Sequence, residues 1–226
     1  MKKNKLIWKF FGFSIFCFAF LFNTNIKAQT SAKDKQAIEA KASDWVASLN
    51  LNDKAKQERV ANVIATHLEA VRDWNNSHPY TTVPAGINPE TGNKLSNLDR
   101  QMIANSAIPA SVHENLINGL RQDLNEQQVD AVLDKYTVGK VAFTLKGYEA
   151  IVPNLTDKEK QVILTNLKTA REQAIDYKNM KQISAIFEIY KTKNEQYLNS
   201  NGRNWHQLYK NYINKIKAEK AANKSK

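Results

Sequence analysis

The sequence predicts an all-α protein, a single helical domain of about six to eight helices. The chain of 226 residues contains only seven glycines and five prolines, and three of the prolines fall between residues 77 and 96. Elsewhere, apolar residues recur at the i, i+3, i+4, i+7 spacing of an amphipathic helix. Residues that favour the N-cap, the position directly before the first turn of a helix, precede several of these segments, among them Asn125, Thr156 and Asn179.

The N-terminal half of the predicted domain contains two long helices and a loop. The helices, over 33–49 and 53–76, each place their apolar residues on one face, and His67 lies within the apolar face of the second. We interpret His67 as a core residue with a hydrogen-bond partner. Residues 77–96 form a long loop, because each proline fixes its φ angle and lacks an amide donor. So long a loop is either a disordered insertion or a functional loop.

The C-terminal half contains shorter segments and three long helices. The predicted helices cover 97–106, 109–122, 125–135, 145–151, 156–177, 180–199 and 205–221. Thr156 and Glu159 match a capping box, and Gly202 fits the residue that follows a helix end. The alternation of side chains over 137–144 favours a short extended segment. One strand cannot form a sheet alone, so the predicted class stays all-α.

The N-terminus has the three parts of a signal peptide. A lysine-rich start precedes an apolar run over 10–22, and Ala28 fits a cleavage site. The apolar run is shorter than the roughly 20 residues that a membrane-spanning helix needs. We therefore expect a signal peptide over 1–28, cleavage after Ala28, and a periplasmic or secreted protein without a stable membrane anchor. The mature chain would hold one domain over 29–222 and a disordered basic tail over 223–226.

Removal of the signal peptide changes the charge and the available chemistry. Residues 1–28 carry five lysines and no acid, so the formal net charge falls from +11 to +6. They also contain Cys17, the only cysteine, so the mature chain would have neither a disulfide nor a thiol nucleophile. The remaining positive charge favours anionic partners such as acidic glycans. Export argues against nucleic acid as a partner, and the oligomeric state is not predicted.

The sequence contains no strong catalytic motif. It lacks HExxH, a P-loop, a glycine-rich dinucleotide turn and the G-x-S-x-G pattern. The four histidines lie far apart, and none pairs with another at helical spacing. We therefore predict neither a metal site nor a cofactor.

The first candidate site residues lie on the predicted helix 156–177. Arg171 stands at the margin of its apolar face, where a permanently charged guanidinium needs a carboxylate or a bound anion. Glu172 and Asp176 form an acidic pair at i, i+4 spacing, which suits acid–base chemistry, a bound cation or simple ion pairing. The sequence leaves open whether Arg171 belongs to a structural ion pair or to a ligand site.

Four further residues add aromatic and cationic character to this part of the chain, namely Tyr148, Lys140, Tyr190 and Lys191. Together with Arg171 they predict a cleft for a sulfated or uronic-acid glycan. An arginine binds a carboxylate with two hydrogen bonds, an aromatic face stacks on a sugar ring, and a lysine or tyrosine could abstract the C5 proton in a lyase. His113, at the edge of the predicted helix 109–122, is placed to reach such a cleft.

Several motifs resemble a known family. They are Q-V-D at 128–130, T-x-G-x-V at 137–141, G-Y-x-x-x-V-P-x-L-T at 147–156, A-R-E-x-A-x-D at 170–176 and Y-K at 190–191. This pattern resembles domain of unknown function 3826, a family of secreted Bacteroidetes proteins. The resemblance implies genes near polysaccharide degradation, pectin-related ones among them, but it implies no catalytic residues. The family often has tyrosine directly after the motif threonine, where this chain has Val138.

Three functions fit these observations. The first is an accessory protein of polysaccharide utilisation that binds acidic glycan. The second is an enzyme, a lyase or hydrolase acting on uronic-acid polysaccharide. The third is a periplasmic chaperone of the helical Spy type, whose Leu-Thr-x-x-Gln box is broken here because Glu159 follows Leu155 and Thr156.

Overall fold

The computed structural model describes residues 32–89 and 91–224. Within these ranges the chain forms nine α-helices and no strand, so the predicted all-α class is confirmed, with slightly more helices than expected. They are α1 (32–47), α2 (Lys54–Ser77), α3 (Asn97–Ser106), α4 (Ala110–Asp123), α5 (Glu126–Tyr136), α6 (Lys140–Ile151), α7 (Asp157–Ala174), α8 (Met180–Ser200) and α9 (Trp205–Lys224). The predicted signal peptide lies outside the described residues.

The ends of the helices follow the local signals in the sequence. Asn125 caps α5, and Thr156 caps α7 in a reciprocal capping box with Glu159, as predicted. Asn179 accepts hydrogen bonds from the first amides of α8. Gly202 follows the end of α8 with a φ of 81°, a left-handed conformation that glycine adopts without a steric penalty.

The expected extended segment over 137–144 is wrong. Thr137 to Gly139 form a tight turn, and α6 begins at Lys140. Val138 and Gly139 both have positive φ angles, 54° and 66°. The Gly139 amide donates to the carbonyl of Asp134 at 2.9 Å, which ends α5 and lets the chain enter α6 after one turn. The alternation of side chains therefore came from a turn followed by a helix.

The loop over 77–96 packs on α3. It contains a 3₁₀ turn, Tyr80–Thr82, and an isolated antiparallel bridge between Ile87 and Lys94. Arg100 of α3 donates two hydrogen bonds to the carbonyl of Val83, at 2.6 and 2.9 Å. These contacts tie the described part of the loop to the helix that follows it.

The helices enclose two apolar clusters. The first lies between α1, α2, α4 and α5 and includes the fully buried Val60, Ile64 and Leu120. The second lies between α6, α7 and α8 and includes the fully buried Ile163, Leu167 and Leu198. Helix α9 covers one side of the second cluster through Trp205 and Leu208.

The end of α7 connects the two clusters. Ala170 and Ala174 pack in the second cluster, whereas the next residue, Ile175, is buried in the first. At the other end of the chain, α9 continues to Lys224, so the first two residues of the tail predicted to be disordered, 223 and 224, are helical. Residues 225 and 226 lie outside the described part. Across 32–89 and 91–224, no helix combines the length and the apolar character that crossing a membrane requires.

Candidate functional site

An aromatic groove between α6, α8 and α9 forms a cavity. Its volume is about 640 Å³, within the range of pockets that bind small ligands. Its lining includes six aromatic and five charged residues: Phe143, Tyr148, Phe187, Trp205, Tyr209, Tyr212, Lys140, Lys146, Glu188, Lys191 and Glu195. We call this set the aromatic groove.

Helix α6 supplies one wall of the aromatic groove. Lys140, Phe143, Thr144, Gly147 and Tyr148 all line it, and they recur at the spacing of one helix face. Phe143 is 79% exposed, whereas Tyr148 on the same face is buried, so this face of α6 runs from the core into solvent. An aromatic side chain left in solvent at the rim of a cavity is available to a ligand.

Helix α9 supplies the opposite wall. Trp205, Tyr209 and Tyr212 follow each other at i, i+4 and i+7, which places their rings along one side of the helix. The Trp205 ring packs 5.3 Å from Tyr148 and 6.0 Å from Tyr209, measured between ring centroids. The rings therefore form a continuous apolar surface, and Tyr209 is 48% exposed along it.

Helix α8 supplies the floor and most of the charge. Glu188, Lys191 and Glu195 lie along one face at spacings of three and four residues. The Lys191 ammonium lies 2.9 and 3.1 Å from the two carboxylate oxygens of Glu188. Glu195 makes no hydrogen bond or ion pair with another described residue. Burial and the charge of Glu188 raise the pKa of Glu195, and Lys191 only partly offsets them.

Tyr148 has a structural hydrogen bond within the groove. The residue is 2% exposed, and its hydroxyl donates to the backbone carbonyl of Lys191 at 3.2 Å. Burial raises the pKa of this phenol well above its ordinary value. Tyr148 therefore presents its ring to the groove and keeps its proton, which does not suit the base of a lyase.

Three of the eight residues that the sequence singled out meet in the aromatic groove. Tyr148, Lys140 and Lys191 line the aromatic groove, and the Lys140 ammonium lies 5.5 Å from the centre of the Phe187 ring. Tyr190 is buried in the second apolar cluster instead, with Lys193 over its ring at 4.4 Å. The other four residues lie elsewhere in the fold.

Arg171 belongs to an ion pair between α7 and α5. Its side chain is only 5% exposed and binds the carboxylates of Asp130 and Asp134, the second at 2.8 Å. Burial would raise the pKa of Asp130, but hydrogen bonds from Lys168 and Arg171 hold it below its ordinary value. Asp134 lines a second cavity, of about 590 Å³, but Arg171 does not. The geometry thus supports the structural interpretation of Arg171.

Asp176, Glu172 and His113 form a separate cluster between α7, α2 and α4. One carboxylate oxygen of Asp176 lies 2.9 Å from Nε2 of His67, and the other lies 2.9 Å from Nδ1 of His113. Glu172 is more distant, 3.9 Å from the second nitrogen of His113. His67 is buried and hydrogen bonded, as predicted for a core histidine. The cluster joins three helices and does not contribute to the aromatic groove.

The groove contains residues that the sequence interpretation missed. The candidate residues of the sequence analysis include neither the two acids, Glu188 and Glu195, nor the three rings of α9, Trp205, Tyr209 and Tyr212. Their spacings, i, i+7 for the acids and i, i+4, i+7 for the rings, were a signal that such side chains share a face. Within the described ranges, no group of three His, Cys, Asp or Glu side chains is placed to hold a metal ion.

Comparison with known proteins identifies the family. A search of curated proteins finds no match to this chain. The model of the family described as Protein of unknown function (DUF3826) matches residues 35–218, which is well over half of the sequence. The match includes the aromatic-groove residues of α6 and α8 together with Trp205, Tyr209 and Tyr212. The chain therefore belongs to the DUF3826 family.

Proposed function

We propose that this protein is an exported accessory protein of polysaccharide utilisation and that its aromatic groove binds acidic oligosaccharide. The observation that carries the proposal is the pair of exposed aromatic walls, with Phe143 on α6 facing a cavity shared with Tyr209 on α9. Leaving such rings in water is unfavourable by the hydrophobic effect. A ligand with apolar faces, such as a sugar ring, would remove them from water.

The charges of the groove suit a sugar that carries carboxylates. Lys140 and Lys146 line the groove, and neither forms an ion pair within the described residues. Lys191 already neutralises Glu188. Two ammonium groups are therefore available to a uronic acid, while the rings pack against the faces of neighbouring sugars. A cavity of about 640 Å³ holds only a short oligosaccharide, so the ligand is a chain segment or a degradation product.

The test is titration calorimetry with oligosaccharides of polygalacturonate and alginate, and with neutral maltooligosaccharides for comparison. Phe143→Ala and Tyr209→Ala should each weaken binding of the acidic ligand about tenfold, or roughly 1.4 kcal/mol. Phe143 is 79% exposed and Tyr209 is 48% exposed, so neither is a core residue and these variants should fold normally. Ile87→Ala is the matched control, because Ile87 is a large apolar residue, 66% exposed, outside the groove.

Charge selectivity gives the second arm of the experiment. Lys140→Gln with Lys146→Gln should reduce the affinity for acidic oligosaccharide, and raising the salt concentration should have the same effect on the unmodified protein. Binding of a neutral sugar with equal affinity would contradict the acidic class. Binding that survives both aromatic substitutions, or no binding to any of the sugars, would contradict the groove as a glycan site.

A further inference from the structure

Glu195 differs from the other carboxylate of the aromatic groove, Glu188, in being half-buried and without an ion pair among the described residues. It is half-buried among the groove residues and lies one helical turn beyond Lys191 on α8. Lys191 binds Glu188 instead, with both carboxylate oxygens of Glu188 within 3.1 Å of the ammonium. Glu195 thus has no ion-pair partner in the part of the chain that the structure describes.

The two carboxylates differ in a way that suits acid–base chemistry. Glu188 is 66% exposed and paired with an ammonium, so it faces water and is compatible with a negative charge. Glu195 is half-buried in the aromatic groove, where the protonated form of a carboxyl is favoured. Two carboxylates with opposite environments in one sugar-sized cavity match the division of labour between base and acid in glycoside hydrolysis.

We propose that the aromatic groove hydrolyses a glycosidic bond of the acidic oligosaccharide that it binds, with Glu195 as the general acid and Glu188 as the general base. This inference rests on the proposed function, because it requires the sugar to lie in the groove. Seven residues of α-helix separate the two positions by about 10 Å along the axis. This spacing of the backbone favours the wider carboxyl separation of inverting enzymes, roughly 6.5–9.5 Å, which holds a water molecule, over the roughly 5 Å of retaining ones, so we expect inversion at the anomeric carbon.

The step balances with water as the co-reactant. The proton of the Glu195 carboxyl moves to the glycosidic oxygen while the bond between that oxygen and C1 breaks, and the bonding electrons stay on the leaving oxygen. Water adds to C1 from the opposite face and gives one proton to the Glu188 carboxylate. The products are a sugar with a new reducing end and a shortened chain with a free hydroxyl, and proton exchange with solvent restores both carboxyl groups.

The tyrosine and the lysines of the groove do not suit the base of a lyase. A lyase needs a base that removes the C5 proton of a uronic acid, and Tyr148 and the lysines are the other candidates. The Tyr148 hydroxyl donates to the backbone of Lys191 and is buried. The Lys191 ammonium is engaged by Glu188, and an ammonium group has no lone pair to accept a proton.

The experiment incubates the protein with polygalacturonate, alginate and chondroitin sulfate and measures new reducing ends, together with the ultraviolet absorbance of unsaturated uronates. We expect reducing ends without that absorbance from at least one of the three. Glu195→Gln and Glu188→Gln should each lower the rate by about 100-fold or more, while calorimetry shows binding within a few-fold of the unmodified protein. Glu58→Gln, an exposed carboxylate on α2 outside the groove, is the matched control and should keep full activity.

A pH profile separates a chemical role of Glu195 from a structural one. The rate of the unmodified protein should fall as pH rises and Glu195 loses its proton, and this limb should disappear in the residual activity of Glu195→Gln. Binding without cleavage would overturn this inference and leave the glycan-binding proposal in place. Cleavage with unsaturated products, or full activity in Glu195→Gln, would overturn it as well. Absence of binding would overturn both proposals.

Discussion

At the residue scale, Asp176 makes hydrogen bonds to two histidines, of which His113 is the more exposed. The hydrogen bond to Asp176 raises the pKa of His113 above its ordinary 6.5, although partial burial opposes the shift. Burial would raise the pKa of Asp176, but His113 and His67 together lower it below 3.8. Glu172 and Glu114 also favour the protonated His113. The pair is therefore charge-assisted at mildly acidic pH.

These shifts predict how His113→Gln changes stability with pH. A raised histidine pKa contributes stability that is complete below 6.5 and is lost as pH rises through the folded-state value. A lowered aspartate pKa contributes stability that is present above 3.8 and is lost as pH falls through the folded-state value. The loss of unfolding free energy in His113→Gln should therefore be largest between about pH 4 and about pH 6.5 and should shrink on the alkaline side.

Urea unfolding at about pH 5.5 and about pH 8.5 measures this difference. His206→Gln is the control, because His206 is exposed on α9 and lies outside the cluster. Its effect on the free energy of unfolding should be small at both pH values. An effect of His113→Gln that does not change with pH would show that the hydrogen bond contributes without the charge.

The cluster around Asp176 shows how much of the site could be predicted from the sequence. The sequence identified His67 correctly, because a histidine in the apolar stripe of a long helix has to be buried with a partner. It grouped Arg171, Asp176 and Tyr148 into one cleft, because they are close in the chain. The structure separates them, since α7 presents Arg171 to α5 and Asp176 follows its last turn toward α2 and α4. Long-range pairing of this kind has no signature in local spacing.

At the element scale, the sequence prediction was wrong at the turn between α5 and α6, where it expected an extended segment. Val138 and Phe143 are apolar but 72% and 79% exposed, so the pattern of apolar residues does not report the buried face of α6. Part of α6 faces the aromatic groove instead of the core, so its apolar residues do not show the 3.6-residue period of an amphipathic helix. The other helices were predicted well because their apolar stripes enter a core, as in α2, and their caps are the preferred residues, as in α5 and α7.

The positive φ of Val138 predicts a stabilising substitution in this turn. A β-branched residue in the left-handed region is strained by roughly 1–2 kcal/mol, and asparagine tolerates that region better. Val138 is mostly exposed, so Val138→Asn removes little packing and should raise the free energy of unfolding by about 1 kcal/mol. Gly139→Ala should lower it by a similar amount, because the added methyl meets no atom within 4 Å and only the backbone penalty remains.

Chemical denaturation of the two variants at neutral pH tests this turn. Ile189→Asn provides the control, since Ile189 is 53% exposed within the regular helix α8 and gains nothing from a residue that favours left-handed backbone. It should be neutral or mildly destabilising. Destabilisation by Val138→Asn, or a neutral Gly139→Ala, would contradict a left-handed turn at these two positions.

At the scale of the whole molecule, α7 connects the two apolar clusters. It packs Ile163 and Leu167 in the second cluster, and Ile175 directly after its end is buried in the first. The ion pair of Arg171 with Asp130 and Asp134 fastens the same helix to α5. Loss of contacts on either side of α7 should therefore destabilise both clusters together.

Tryptophan fluorescence reports the two clusters separately. Trp45 packs in the first cluster and Trp205 packs against the second. We therefore use two variants. One keeps only Trp45 and the other keeps only Trp205, with all other tryptophans changed to Phe, so that each variant reports the unfolding of one cluster. We expect coincident urea transitions.

Arg171→Met should lower the free energy of unfolding by the same amount in both transitions, about 2–3 kcal/mol, because it leaves two carboxylates without their buried cation. Lys168→Met, which removes an exposed partner of Asp130, should cost under about 1 kcal/mol. A shift in only one of the two transitions would mean that the clusters unfold independently and that α7 does not couple them.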